Sequence, residues 1–440
     1  MLFGLALLGC TTLVVPRLER EPEERRLVVV VPGITGVELV QPERHRVVWG
    51  RGVNLLCPRD GGYRLAAAEL LPGRAIRRIR LGPIVKPIYA PIERLFVANG
   101  WSAGDLERPS EEADLFFFEY DWRRGNGESA NRLASQLENL AAVRGGEVGV
   151  SLVCQSNGAL ICRYLAKYGT TTPEEAARGR GASLTGVRLE QLVLVGTANG
   201  GSLRVLQNLN HGRRYVPWVG RTFQPELFAT FESLFQDLPI YADDLFLDST
   251  GEPITVDLFD PETWERYGWS IYAEEAARRL GRPAAREVFP APAERRANLA
   301  QRLDRARRLR ALLDRDVDLD GLRYFSIQND RVPTAARAVL RSSGGRWETL
   351  FFGDPAIRGR LARRLASDGD GHATVASQQW LPDSERAAFA EPTWYVDGAH
   401  FEMILEPEVL ERLLQIGAAP REPSDRPPTR PETPSRPAAR

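Results

Sequence analysis

Ser156 stands in the string Val153-Cys154-Gln155-Ser156-Asn157-Gly158, between a β-branched run (Val148, Val150, Val153) and a helical stretch that continues through Tyr164. A hydroxyl at such a strand-to-helix turn is pushed clear of the backbone, the arrangement called a nucleophile elbow, usually written G-x-S-x-G. The turn asks for small residues two positions before and after the serine, which here are Cys154 and Gly158. A serine hydroxyl is a weak nucleophile until a base takes its proton, and imidazole, which titrates near neutrality, is the natural base. The chain offers four histidines, His45, His211, His372 and His400. A carboxylate must then orient the imidazole, and Asp330, Asp368 and Asp370 are the candidates, all in turn-like surroundings. The chemistry open to such a set is acyl transfer through a covalent serine intermediate.

The elements that must carry these groups alternate. A valine-rich run, Leu27 to Val31, reads as a buried central strand and ends in Pro32-Gly33. A second strand spans Asp114 to Tyr120. Ser129 to Val143 places Leu133, Leu137 and Leu140 at helical spacing, and Gly145-Gly146 ends that helix. The strand before Ser156 and the helix after it follow, then strands Gln191 to Val195, Tyr324 to Ile327 and the short Thr393 to Val396. Between about Leu203 and Asp320 the pattern changes to aromatic and Pro-bearing segments and a long arginine-rich helix near Ala293 to Asp314.

Strands alternating with helices indicate a mostly parallel sheet with helices on both faces. With the elbow, this gives an α/β-hydrolase fold with an inserted cap or lid. The expected organisation is an apolar segment and tether at 1–26, a first core part at 27–202, a cap at 203–320, a second core part at 321–418 and a Pro/Arg-rich tail at 419–440 that cannot bury a core. In this fold the chain order is Ser, then acid, then His. His45 precedes the serine and His211 falls in the cap. His400, in the loop after the last short strand, is the expected base. Asp330 and Asp370 serve equally well as the acid on position alone. The oxyanion site takes one backbone N–H from Asn157, after the serine, and one from Ile34 in Pro32-Gly33-Ile34-Thr35-Gly36, where glycines let the backbone come close.

The 440 residues carry 58 Lys and Arg against 58 Asp and Glu, so the formal net charge is zero and nothing electrostatic calls for a nucleic acid partner. No zinc-type Cys/His spacing and no phosphate-binding glycine loop is present, so neither a metal nor an organic cofactor is expected. The four cysteines, Cys10, Cys57, Cys154 and Cys162, do not describe a disulfide-built fold, and Cys154 and Cys162 are expected as small buried apolar packing. Met1 to Val15 is almost wholly apolar but too short to span a bilayer as a helix. Leu7-Leu8-Gly9-Cys10 resembles a bacterial lipobox, though without a positive leading segment. Two localisations follow: a cell-envelope or secreted protein, lipid-anchored at Cys10, or a cytoplasmic one.

Several strings resemble the lecithin:cholesterol acyltransferase family, with its lysosomal phospholipase A2-like and phospholipid:diacylglycerol acyltransferase-like members. They are Val29 to Val40 (VVVPGITGVELV), Val48-Trp49-Gly50, Phe118 to Arg123 (FEYDWR), Val153 to Leu165, Leu194 to Ser202, Asp368 to Ser377 (DGDGHATVAS) and Gly398 to Leu405 (GAHFEMIL). They run in the family's order over roughly residues 27 to 415. The resemblance implies the acid at Asp370, the base at His400, oxyanion amides at Ile34 and Asn157, and Trp49 in a mobile lid near the acyl chain. The chain departs from the family at Gln155, where His is usual, and at Cys154, where Gly or Ala is usual. His372-Ala373 is inserted after the acid's glycine, which keeps Asp368 as a rival to Asp370. The paired lid cysteines of animal members are absent, since Cys57 has no neighbour.

The resemblance implies hydrolysis or transfer of an acyl group from phospholipid-type esters, with a lipid ester as substrate and a membrane or lipid surface as its setting. Two alternatives stand beside it: a non-catalytic lipid-binding protein of the same fold, and a soluble short-chain carboxylesterase.

Overall fold

The computed structural model describes residues 16–18, 26–56, 61–181, 183–216, 220–319 and 321–418. Cys10, Cys57 and the tail at 419–440 lie outside them. Six strands form the central sheet: β1 (Leu27–Val31), β2 (Leu115–Phe117), β3 (Val148–Gln155), β4 (Val187–Val195), β5 (Arg323–Gln328) and β6 (Trp394–Tyr395). Their order is β6-β5-β4-β3-β1-β2, and every pairing is parallel. The register places Val29 opposite Leu152 and Phe116, Gln155 opposite Val195, and Ile327 opposite Trp394.

Parallel strands need crossover connections, so both faces of the sheet are covered. Alternation along β1 shows how. Leu27, Val29 and Val31 enter one apolar cluster, and Val28 and Val30 enter another. The main helices are α1 (Ala90–Ala98), α2 (Asn126–Val143), α3 (Gly158–Tyr168), α4 (Leu203–His211), α5 (Pro292–Leu313) and α6 (Pro407–Ala418). Leu133, Leu137 and Leu140 of α2 pack in the first cluster with α3 and with Leu299, Leu303 and Leu309 of α5. Ile92, Leu95 and Phe96 of α1 meet Val409, Leu410 and Leu413 of α6 in the second. Each fully buried Val or Leu contributes about 1.5–3 kcal/mol relative to exposure, which makes these two layers the main support of the sheet.

The segment 203–320, expected as a cap, is tied to the core at both ends. Ser202 caps α4 by accepting from the Arg204 N–H. The last carbonyls of α5 accept from α3: Leu312 from the Tyr168 hydroxyl, and Leu313 from Arg163 and Lys167. Arg163 and Lys167 also pair with the fully buried Glu385. Among the described residues, no helix is long and apolar enough to cross a membrane.

Cys154 and Cys162 correct the sequence expectation of mere apolar packing: they form a disulfide. After the turn at Ser156, α3 runs back along β3. The residue six positions beyond the serine therefore returns beside the residue two positions before it, with Cα atoms 6.6 Å apart.

Candidate active site

β3 delivers Ser156 at its carboxyl end, and the Ser156 N–H still donates to Val195 O at 3.1 Å on the neighbouring strand. The chain then reverses. Ser156 has φ 54°, a left-handed conformation that costs a non-glycine residue of order 1 kcal/mol and is held by the elements on either side. The small residues around it have direct steric causes. A Cβ on Gly158 would lie 2.4 Å from Val31 O, and one on Gly33 would lie 2.9 Å from the Ser156 Cβ. The disulfide occupies the side of β3 where an elbow usually carries glycine at Cys154.

Ser156 Oγ lies 2.8 Å from His400 Nε2, and His400 Nδ1 lies 2.7 Å from Asp370 Oδ2. An ionised carboxylate can only accept, so the Nδ1 proton points at Asp370, and Nε2 is left to accept from the serine hydroxyl. The two residues are also joined through the main chain, His400 N donating to Asp370 O at 2.9 Å. The other carboxylate oxygen of Asp370 accepts from the N–H groups of His372 and Ala373 at 2.8 and 2.7 Å. The two inserted residues thus hold the carboxylate in place. Asp368 and Asp330 are exposed and do not reach the imidazole; Asp330 faces Arg331 instead. His45 is an exposed turn residue, and His211 rests its ring on Phe351.

Ile34 and Asn157 frame the serine from two loops. Neither backbone N–H has a partner among the described residues. The Asn157 side chain is locked in a reciprocal amide pair with Asn126, at 2.8 and 3.0 Å, and Asn126 N donates to Gln236 Oε1. The 32–36 loop is pinned from several directions. The Tyr120 hydroxyl donates to Pro32 O at 2.7 Å, Trp49 Nε1 donates to Thr35 O at 2.9 Å, and Gly36 N donates to Gly33 O. Gln155 Oε1 accepts from the Tyr89 hydroxyl at 2.6 Å and from Gly33 N at 3.2 Å. Burial pushes the Tyr89 and Tyr120 hydroxyls far above their usual range, so they act as neutral donors. Trp49 is 2% exposed, packed edge-on against Trp122, Tyr215 and Phe223.

Sequence reasoning did not assign the roles of Tyr89, Gln155, Asn126, His372 or Asp237. Tyr120, Gln155 and His372 lay within quoted motifs, but the partners that define their tasks are far away in the chain. Asp237 is buried beside Arg310, with a closest approach of 3.7 Å; burial raises its carboxyl to about 7, opposed by the fields of Arg310 and His400. The His372 ring stacks on His400 with centroids 4.4 Å apart, and Phe401 stands perpendicular to His400 at 4.9 Å. Burial first, then the charges of His400, Arg213 and Arg204, holds His372 well below its usual pKa. Among the described residues no group of three or more His, Cys, Asp or Glu side chains could hold a metal ion.

No family model matches the chain, and no curated protein is similar to it. Among solved structures, it resembles a chain of the Tle4–Tli4 complex with a TM-score of 0.55 and 13% identity, over 89% of this chain and 98% of that one. With its parallel six-stranded sheet, helices on both faces and an elbow at the end of β3, the chain has an α/β-hydrolase fold.

Proposed function

We propose that the protein is a serine-dependent acyl hydrolase or acyltransferase that acts on lipid esters of the phospholipid type, as the motif resemblance to the lecithin:cholesterol acyltransferase family implies. The observation that carries this reading is the buried hydrogen-bonded chain from Asp370 through His400 to Ser156. In the proposed reaction Ser156 Oγ attacks the ester carbonyl carbon as His400 Nε2 takes its proton. Asp370 holds the imidazole tautomer and stabilises the imidazolium. The developing oxyanion takes the N–H groups of Ile34 and Asn157. His400 then gives its proton to the departing alkoxide, leaving an acyl-Ser156 ester. Water, or an alcohol, enters on the same path in reverse and takes the acyl group.

The lipid assignment draws on the motif resemblance and on the aromatic cluster of Trp49, Tyr215 and Phe223 packed beside the 32–36 loop. A lipid surface as the working environment belongs to the same proposal. Labelling of the full chain by a fluorophosphonate, abolished in Ser156→Ala, tests the nucleophile. Mass spectrometry of products from mixed phospholipids, with and without a diacylglycerol or sterol acceptor, separates hydrolysis from transfer. An intact, folded protein that neither labels nor releases any acyl group refutes the proposal.

A further inference from the structure

Cations around the His400 loop are mostly matched by carboxylates. Lys86 pairs with Glu402 at 2.9 Å, and Arg331 pairs with Asp397 at 2.9 Å. Deeper in, Arg310 faces Asp237. Arg204 and Arg213 are different, because neither has a carboxylate partner among the described residues. Arg204 donates to Gln207 at 2.8 Å. It sits in the first turn of α4, where the helix dipole disfavours a cation, so its position is not accounted for by helix stability. Burial, and then the charge of Arg213, lowers its pKa. The guanidinium of Arg213 lies over the rings of Tyr215 and Phe401, at 4.7 and 5.3 Å. A ring face satisfies the flat side of a guanidinium but none of its five N–H donors.

Both arginines stand beside the candidate catalytic centre. Phe401 links Arg213 to His400. On the other side, the Ser202 hydroxyl that accepts from the Arg204 backbone N–H itself donates to His372 O, which sets the start of α4 beside the His372 ring that lies on His400. Two cations that flank one site and keep N–H donors free of any carboxylate are the complement of a phosphate diester. The ammonium of a choline or ethanolamine group is repelled by the same two cations, and the nearby carboxylates Glu402 and Asp397 are already paired with Lys86 and Arg331.

We propose that Arg204 and Arg213 form a headgroup subsite for anionic phospholipids, in which the phosphate diester seats between the two guanidiniums while the acyl ester is presented to Ser156. The proposal rests on the ester-cleaving reading above and adds to it a preference for lipids whose headgroup carries no compensating positive charge.

The test uses the full-length protein and short-chain lipids kept monomeric, so that recruitment to charged vesicles plays no part. The wild-type kcat/KM for dihexanoyl-phosphatidylglycerol is expected to exceed that for dihexanoyl-phosphatidylcholine by about tenfold, the equivalent of roughly 1.4 kcal/mol. The ratio should shrink as salt is raised. In Arg204→Gln/Arg213→Gln it should fall close to one, with Arg204→Lys/Arg213→Lys in between. A wild-type ratio near one, or a ratio that the double Gln variant leaves intact, overturns the subsite. Calorimetric binding of the same two lipids to Ser156→Ala gives a readout without turnover: selective binding there keeps the subsite even if every ester resists cleavage, and equal binding removes it. Inorganic phosphate is the third probe. Binding as tight as that of the phosphatidylglycerol identifies a free-phosphate site and overturns the lipid assignment.

Discussion

Gln155 replaces the histidine usual in the resembling family, and the structure gives it a definite task that can be measured. Its Oε1 accepts from the Tyr89 hydroxyl at 2.6 Å and from Gly33 N at 3.2 Å, and Tyr89 and Gln155 are 2% and 6% exposed. Gln155→Ala removes one acceptor serving two donors. The Tyr89 hydroxyl then lies buried without an acceptor, at a cost of about 1–3 kcal/mol, while Gly33 N still donates to the Tyr89 hydroxyl oxygen at 3.2 Å. A stability loss of roughly 1–3 kcal/mol is therefore expected. Tyr89→Phe leaves Gln155 still bonded to Gly33 and should cost about 1 kcal/mol. If the two side chains act through one bond, the double variant will be less damaged than the sum, with a coupling of about 1–2 kcal/mol. Gly33 immediately precedes Ile34, so loosening the loop should also lower kcat for a neutral ester by roughly 10- to 100-fold with KM little changed. That is less than the roughly 100- to 1,000-fold expected for outright loss of an oxyanion donor. Urea unfolding of the four proteins gives the coupling, and ester turnover and fluorophosphonate labelling rates give the catalytic part. A coupling below about 0.5 kcal/mol, or full activity in a folded Gln155→Ala protein, would refute the reasoning.

Asp370→Asn should cut kcat by about 10³- to 10⁴-fold by favouring the wrong imidazole tautomer. Asp368→Asn and Asp330→Asn should stay near wild type; equal losses in all three, read from ester turnover, would remove Asp370 from its role. Reducing the Cys154–Cys162 disulfide, which closes a loop of sequence separation 8, should lower unfolding free energy by roughly 2.5 kcal/mol through the unfolded chain's regained freedom. Denaturant curves with and without reductant measure this, and superimposable curves count against a native disulfide. Asp237 gives a pH signature. Its folded-state pKa is raised by burial from 3.8 to about 7, so between these values the folded state holds a proton that the unfolded state has lost. Stability should therefore fall as pH rises from about 4 to 7, by up to about 4 kcal/mol, and then level off. Asp237→Asn should flatten that slope in urea titrations across the range; an unchanged slope assigns it to other groups.

The centre of the sheet was legible because β1, β3 and β4 are apolar runs rich in Val and Leu. Leu27–Val31 coincides with the expected strand, and β5 differs from its expected span by one residue at each end. β2 and β6 came out shorter than read. Their ends turn away into loops that carry Phe118, Tyr120 and Val396 inward, and apolar content alone cannot distinguish that from a strand. α2 begins at Asn126, three residues before the expected start, because Asn126 is recruited by Gln236 and Asn157, partners that no local pattern reveals. Ser156, His400 and Asp370 could be chosen by chain order and motif. The choice between Asp370 and its neighbours could not be made from position, since it turns on which turn aspartate is aimed inward. The cysteine pair was misread for the same reason: a separation of eight residues says nothing about a chain that doubles back.

Three of the departures from the family pattern are adjacent in the fold and share one consequence. Cys154 is bridged to Cys162, Gln155 binds the 32–36 loop, and His372-Ala373 donate two N–H groups to Asp370. Each falls next to one of the groups assigned to the chemistry, and each adds a constraint to it. Random loss of function predicts the opposite, namely broken contacts and unfilled space around the serine. Instead Ser156 keeps its strained φ, and strain of order 1 kcal/mol persists only where surrounding contacts outweigh it. The same logic bears on the non-catalytic alternative. A lipid-binding protein that had abandoned acyl transfer would have no use for an imidazole aligned on both sides within hydrogen-bonding distance, nor for a neutral second histidine stacked against it. Substituting the elbow's Gly158 by Ala separates the two readings. The added Cβ, 2.4 Å from Val31 O, must displace the turn, so fluorophosphonate labelling should drop at least tenfold while lipid binding persists; labelling at the wild-type rate would show that the turn's geometry is not under the constraint argued here.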